Sequence, residues 1–330
     1  MEKLTVWVNF DAEAVDISGL RNHFGNDERF TYIEKRIVPH EKAIAMAEQT
    51  DILINTFDAL GPEEFARISK RTKFVIRYGT GYDNIDVAAA TKYGIPFANC
   101  PGANAPPVAE LALTHILNCN RHFTQSYQQV KEGKWPICPG NELDGKTIGL
   151  MGFGNVARHL ARMMSGFHIK LLAYDTFVPV TVSNFAKEHQ VQFVTTPEEL
   201  FQRCDIVSLH IPANASTEKS INRNLFNKAK EGLVLINTCR GKVIDEDDLI
   251  DALHTGKIRA AGLDVLTSEP PPLSDRLLHM ENVYVTSHIA ASTYESEMRT
   301  QKMITETVEA FLKQELTANV VNRKEIQLKR

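Results

Sequence analysis

Three side chains able to move a proton or hold an anion stand just past short apolar runs in the C-terminal half of the chain. Arg240 follows "GLVLINT" (232–238) and Cys239, Glu269 comes soon after "AAGLDV" (260–265), and His288 follows "NVYVTS" (282–287). A histidine titrates near neutral pH and can give or take a proton at a reacting oxygen. A carboxylate beside it holds the tautomer and favours the charged ring. A guanidinium is a permanent, forked cation that can bind a carboxylate and polarise a carbonyl. These types suit hydride transfer to a 2-oxo acid, where the carbonyl oxygen must be protonated as hydride reaches carbon. Arg240 and His288 would also touch such a substrate, as clamp and as acid/base, with Glu269 as the partner of His288.

Each residue has a plainer reading. Arg240 alone reads equally as a surface ion pair. Glu269, before Pro270-Pro271-Pro272, reads alone as a loop carboxylate. His288 is one of 11 histidines, and His210 in "SLHIP" also ends an apolar run; a structural role is preferred for His210. The cysteines read as small buried hydrophobes, with Cys239 lending only its backbone to a ligand.

A second constellation lies upstream. "GLMGFGNVA" (149–157) contains G-x-G-x-x-A, from Gly152 to Ala157, between the apolar run "TIGLM" and the helical pattern "NVARHLARMM". Gly152 allows a tight turn, and Gly154 lets the backbone approach a phosphate at the positive start of a helix. Asp175 closes the next run, "KLLAYD", 23 positions after Gly152. An acid there can accept the ribose diol of a dinucleotide and repels a 2′-phosphate. No Lys or Arg occurs from Thr176 to Ala186, so NAD is favoured over NADP. The bland reading of the turn is a structural corner between strand and helix.

The elements that position these groups follow from the hydrophobic pattern. Short apolar runs alternate with helical patterns throughout, which predicts an α/β fold with parallel strands. "LTVWVN", "DILIN" and "KFVIRYG" read as strands early in the chain, with "GPEEFARISK" and "DVAAATKYG" as helices between them. In "NCPGANAPPVAELALTHILNCNRHF", Asn104 can cap and Pro106 and Pro107 fit a first turn, which predicts one long helix into a second domain. The later runs are unbroken rather than alternating, as expected of strands covered on both faces. A last helix at about Tyr294 to Leu316, apolar at Met298, Ile304, Val308 and Phe311, is expected to pack on the first domain. That gives a discontinuous domain of residues 1–103 and 294–330, and a second domain of 104–293.

Bulk properties exclude other classes. The 330 residues are 43% hydrophobic and 24% charged, with a net charge of -4, which gives no reason to expect nucleic acid or a membrane as partner. No run matches a signal peptide or a membrane span. Five cysteines without a C-x-x-C fit reduced thiols in a cytoplasm, and no metal site is expected.

The residues resemble the D-isomer-specific 2-hydroxyacid dehydrogenases along nearly the whole chain. "RYGTGYDNID" (77–86), "GLMGFGNVA", "INTCRGKVIDEDDL" (236–249), "GLDVLTSEPP" (262–271) and "SHIAAST" (287–293) occur in the family's order. "KEGKWPICPGNELDGKTIG" is similar to the interdomain segment of the 3-phosphoglycerate dehydrogenase branch. The resemblance implies two Rossmann-like domains, one flavodoxin-like and one a doubly wound parallel sheet, with a cleft between a split substrate domain and a central NAD domain. It implies a homodimer and catalysis by Arg240, Glu269 and His288. It places Asn155 and Val156 on the pyrophosphate, Asp175 on the ribose, and Thr238, Cys239 and Asp264 on the nicotinamide side. Ala290, where the family commonly has Gly, is counted with the cofactor residues. Tyr78, Gly79, Thr80 and Gly81 fall on the loop that offers N–H groups to the substrate carboxylate, with Thr80 also approaching the cofactor; the glycines alone are also explained by a strand-to-helix turn.

One departure bears on substrate, and another tunes the cleft without removing chemistry. Asn55 and Thr56 stand where the phosphoglycerate branch usually has an Arg, which removes a charged partner for a phosphate, although Arg77 could still help. Ser287 replaces a Pro before the histidine. The side-chain pocket is expected around Asn55 to Asp58 and from a partner subunit. The resemblance also extends to NAD(H)-sensing corepressors of this fold, so the reading from another class is a binding protein with little turnover.

Overall fold

Apolar runs alternating with helices build two all-parallel sheets. The computed structural model describes residues 3–10, 16–56 and 58–326. By their contacts the residues divide into a unit of Met1–Asn104 with Ser292–Arg330 and a unit of Ala105–Ala291.

The first unit holds β1 (Leu4–Asn9), β2 (Phe30–Glu34), β3 (Ile52–Asn55), β4 (Phe74–Arg77) and β5 (Phe97–Ala98). Their order, β2-β1-β3-β4-β5, is the flavodoxin-like one. Val6, Val8, Ile52 and Ile54 pack into one core, and Trp7, Leu53 and Val75 into the other, so both faces are covered. The last helix is Tyr294–Leu312, four residues shorter at its end than the pattern suggests. Ile304 and Val308 are fully buried in the first core, with Phe311 partly so. Met298 departs from the expected stripe: it is 70% exposed. It lies less than two turns into the helix, and the buried positions there are the small or polar Ser296, Thr300 and Gln301.

The second unit holds β6 (Thr147–Met151), β7 (Lys170–Tyr174), β8 (Val191–Phe193), β9 (Ile206–Leu209), β10 (Leu233–Asn237), β11 (Ile258–Leu263) and β12 (Val283–Val285). The order β12-β11-β10-β9-β6-β7-β8 is the doubly wound 3-2-1-4-5-6 arrangement with a seventh strand added. Its direction of winding reverses between β6 and β9, and ligands of such sheets bind at the carboxyl ends near that point. Both margins of this sheet are strands of three residues, β8 and β12. The expected long helix is present, and a second follows it directly. Ala105–Arg121 is one helix, His122 turns left-handed at φ 53°, and Phe123–Lys131 is a second.

One device recurs in both units. Asp51, just before β3, accepts the Thr5 amide at the start of β1, at 2.9 Å. Asp205, just before β9, accepts the Thr147 amide at the start of β6, also at 2.9 Å. Each carboxylate joins the amino-terminal ends of two paired central strands and is held by cations, Arg71 and Lys73 in one case and Lys230 in the other.

Candidate active site

The glycine turn sits at the carboxyl end of β6, beside the switch point. Gly152 has φ +90°, and a Cβ there would lie 2.5 Å from the carbonyl oxygen of His210, so only glycine fits. A Cβ at Gly154 would meet nothing within 4 Å, which leaves that side of the backbone open. Gly154 is the N-cap of the helix Asn155–Met163, and no side chain caps it. The first amides of this helix, those of Asn155 and Val156, lack the usual intrahelical acceptors and suit an anion. Asp175 reaches back to the turn: its Oδ2 accepts the Phe153 amide at 2.7 Å and its Oδ1 the Phe177 amide at 2.9 Å. Each oxygen keeps a second lone pair for a ribose hydroxyl.

Buried polar atoms without partners mark the same edge. His210 Nε2 follows β9 and Thr238 Oγ1 follows β10, and neither has a hydrogen-bond partner among the described residues. Burial pulls the His210 ring down to about 4, so it is neutral and able to offer one N–H or one lone pair. Unmet buried groups are costly, and a polar ligand at this edge would relieve them. Together with the open glycine turn and Asp175, these orphans fit a dinucleotide. His210 thus joins the candidate cofactor residues; its sequence signal was only its place at a strand end. Burial pushes the Cys239 thiol up to about 11, and its amide donates to Asn237 Oδ1 at 3.0 Å, so it offers no thiolate chemistry.

Arg240, Glu269 and His288 follow β10, β11 and β12, three neighbouring strands whose carboxyl ends share one edge. The structure brings Glu269 and His288 together: Oε2 lies 2.7 Å from Nδ1. Glu269 Oε1 accepts the Leu266 amide at 3.0 Å, which fixes the carboxylate's own orientation. Arg240 is half-buried. Its carbonyl accepts from Asn237 Nδ2 at 2.9 Å, and its Nη1 donates to the Cys239 carbonyl at 2.7 Å.

His288 itself has a left-handed backbone, φ 56°, uncommon for a residue with a side chain. Asp264, 1% exposed, holds it there. The amide of His288 donates to the Asp264 carbonyl, and those of Ile289 and Ala290 donate to its carboxylate, each at 2.9 Å. Thr286 Oγ1 donates to Asp264 Oδ1 at 2.6 Å. Asp264 and Ala290 therefore meet through the loop that carries the histidine.

In the first unit, Tyr78, Gly79, Thr80 and Gly81 form the turn after β4. Thr80 Oγ1 lies 2.8 Å from both the Cys100 carbonyl and Asn104 Oδ1, and Arg77 Nε donates to the Gly81 carbonyl at 2.9 Å. The Tyr78 hydroxyl donates to Glu297 Oε2 at 2.5 Å, and burial raises the carboxyl of Glu297. Asn55 and Thr56 are both buried. Asn55 Nδ2 donates to the Asp58 carbonyl at 2.8 Å and Thr56 Oγ1 to the Asn9 carbonyl at 2.5 Å, so both side chains are engaged within the protein. Phe57, between them and Asp58, lies outside the described residues.

A doubly wound sheet with a glycine turn at its switch point, and an imidazole–carboxylate pair on the same edge, defines a dinucleotide-dependent oxidoreductase of the Rossmann class. Residues 113–290 match the model of the D-isomer specific 2-hydroxyacid dehydrogenase, NAD binding domain. The chain belongs to the D-isomer-specific 2-hydroxyacid dehydrogenase family. It is 38% identical to a hydroxypyruvate reductase of Thermotoga maritima, over 91% of this chain and 95% of that protein. It is 36% identical to a D-3-phosphoglycerate dehydrogenase of Archaeoglobus fulgidus, over 88% of this chain but 53% of that protein. The solved glyoxylate reductase from Paecilomyes thermophila superposes with a TM-score of 0.87 at 26% identity, over 98% of this chain and all of that one. The protein is accordingly an NAD-dependent oxidoreductase of 2-hydroxy acids, and all three of these similar proteins are enzymes by name, which gives no support to the corepressor reading.

Proposed function

We propose that the protein reduces small, unphosphorylated 2-oxo acids of the hydroxypyruvate and glyoxylate class to D-2-hydroxy acids, and oxidises them in reverse. The observation that carries this reading is the His288–Glu269 pair, 2.7 Å apart at the carboxyl edge of the second sheet. Bound NADH supplies the hydride. Gly152, Gly154, Asn155 and Val156 receive the pyrophosphate, Asp175 the ribose, and Thr238, Cys239, Asp264, Ala290 and His210 the nicotinamide side. Arg240 binds the substrate carboxylate and polarises the carbonyl, and the turn Tyr78–Gly81 offers it backbone N–H groups. His288 gives the carbonyl oxygen a proton from Nε2, while Glu269 stabilises the imidazolium on Nδ1.

Two observations favour an unphosphorylated substrate. Asn55 Nδ2 and Thr56 Oγ1 donate to protein carbonyls, and neither side chain brings a charge to a phosphate. The relative matched over nearly its whole length is a hydroxypyruvate reductase, whereas the phosphoglycerate dehydrogenase is matched over about half. Asp175, with no nearby Lys or Arg in the following segment, supports NAD over NADP.

The working form is proposed to be a homodimer joined through the second unit. The helix Phe123–Lys131 buries none of its residues. Phe123, Tyr127, Trp135 and Ile137 are 69%, 54%, 88% and 92% exposed, and Phe123 lines a recess of about 1280 Å³ bounded by both helices and β12. Apolar surface of this extent is typical of an interface. A cytoplasmic setting is proposed from the free thiols, since all five cysteines are unpaired. No helix among the described residues is long and apolar enough to cross a membrane.

The test is a panel of 2-oxo acids with NADH, followed at the nicotinamide absorbance: glyoxylate, hydroxypyruvate, pyruvate, branched and aromatic oxo acids, and phosphohydroxypyruvate. Highest kcat/KM for glyoxylate or hydroxypyruvate is expected. Preference for phosphohydroxypyruvate would overturn the substrate class, and no turnover with intact NADH binding would overturn the reaction.

A further inference from the structure

A buried histidine outside the proposed catalytic set is wired to the loop that carries His288. His115 lies in the middle of the helix Ala105–Arg121 and is 3% exposed. Its Nε2 is 3.1 Å from Thr286 Oγ1, and Thr286 Oγ1 is 2.6 Å from Asp264 Oδ1. The carboxylate of Asp264 can only accept, so the single hydroxyl proton of Thr286 points to it. The Thr286 oxygen then has only lone pairs to offer His115, and Nε2 of His115 must carry the proton. The chain has one direction: His115 Nε2–H to Thr286, Thr286 O–H to Asp264, and Asp264 to the amides of Ile289 and Ala290.

The packing around His115 is specific to this arrangement. A Cβ on Gly262 would lie 2.7 Å from His115 Cβ and 2.9 Å from its Nδ1, so the ring can reach Thr286 only because β11 has a glycine there. Burial pulls the ring below its ordinary value, which keeps it neutral at pH 7 and suits a single Nε2–H donor. At the far end of the chain, His288 holds a left-handed backbone that persists only when its surroundings over-determine it. Three consecutive amides fastened to Asp264 provide that constraint, and Asp264 is fixed in turn by the hydroxyl that His115 orients.

We propose that His115 is a positioning residue for His288, acting through Thr286 and Asp264 to hold the 286–290 loop in its left-handed form. This rests on His288 as the acid/base group. The loss of the His115 donor frees the Thr286 hydroxyl to rotate, loosens Asp264, and lowers the fraction of molecules with His288 correctly placed. It removes no group that touches substrate, so turnover falls while binding persists.

The test compares H115L with H115Q, and T286V with T286S. The Gln amide can replace the Nε2–H donor, and Ser keeps the hydroxyl. In the free enzyme, hydrogen exchange of peptides covering 286–291 should speed up about tenfold in H115L and T286V, and stay near the parent in H115Q and T286S. Peptides covering β1 and β6 should not change. With NADH and hydroxypyruvate, kcat should fall about tenfold in the two apolar variants with the KM for hydroxypyruvate within about twofold. The double variant H115L/T286V should lose no more than the worse single one, because both break one chain. Parent-like exchange and kcat in H115L, an H115Q as impaired as H115L, or additive losses in the double variant would each overturn the proposal. If H115L does not fold, H115N, whose shorter amide cannot reach Thr286, takes its place. An H288A that still turns over would sink the underlying reading instead; an inactive H288A beside a parent-like H115L would sink this inference alone.

Discussion

Glu269 Oε2 stands 2.7 Å from His288 Nδ1, while Oε1 of the same carboxylate is tied to the Leu266 amide. One oxygen is thus fixed by the backbone and the other fixes the imidazole. The ring is held by its Nδ1 side, which leaves Nε2 as the atom free to face the substrate in the proposed reaction.

His288→Ala should therefore lower kcat by roughly two to four orders of magnitude. NADH affinity, measured by fluorescence titration, should stay near the parent. Near-normal turnover would remove His288 from the mechanism.

Asp175→Ala should weaken NADH and narrow the gap between NADH and NADPH, because a carboxylate is lost where a 2′-phosphate would sit. Since Asp175 also accepts the Phe153 and Phe177 amides, a loss of about 1 to 3 kcal/mol in stability should accompany it. Steady-state kinetics with both cofactors and a melting curve check the two effects. An unchanged cofactor ratio would count against this placement of the ribose.

Gly152→Ala should be worse than an ordinary turn substitution. The new methyl would sit 2.5 Å from the His210 carbonyl oxygen, at a residue whose φ is +90°. Destabilisation above about 2 kcal/mol is expected, together with lost NADH binding. Denaturant unfolding gives the first and titration the second; a parent-like midpoint would mean that β6 and β9 can part at little cost.

Asp51 should govern part of the acid sensitivity. Burial alone would raise its carboxyl, but the Thr5 amide, Lys73 and Arg71 outweigh it and hold it below its ordinary value. A lowered acid stabilises above its unfolded pKa of about 3.9 and loses that contribution as pH falls through the folded value. Asp205 is lowered in the same way by Lys230 and the Thr147 amide, against its burial. Asp51→Asn should cost stability at pH 7, and the difference from the parent should shrink as pH drops below about 4. Parallel melting-temperature curves from pH 7 to pH 2 would exclude the charge of Asp51 as the cause.

The sheet of the second unit was readable from composition because it is covered on both sides. "GLVLINT" is an unbroken apolar run, and β10 within it is buried at every position. Strands without that signature escaped: β5 has two residues, β8 of the second unit only three, and β2, "FTYIE", is mostly half-exposed at a margin. Met298 shows the reverse failure, an apolar residue at helical spacing that the fold leaves in solvent. In the site, strand ends were legible and distances were not. That Glu269 meets His288 depends on β11 and β12 being neighbours, which the run of apolar segments does not state. His115 and Thr286 are 171 positions apart, and no spacing rule links a mid-helix histidine to a strand-end threonine. The orphaned Nε2 of His210 is likewise a property of packing, invisible until its surroundings are known.

The three-residue margins of the seven-stranded sheet bear on how copies can meet. β8 and β12 each present only a few peptide groups outward. Such a stub offers too short a ladder for another chain to extend the sheet by backbone pairing. Growth of this sheet from copy to copy by backbone pairing is thereby disfavoured.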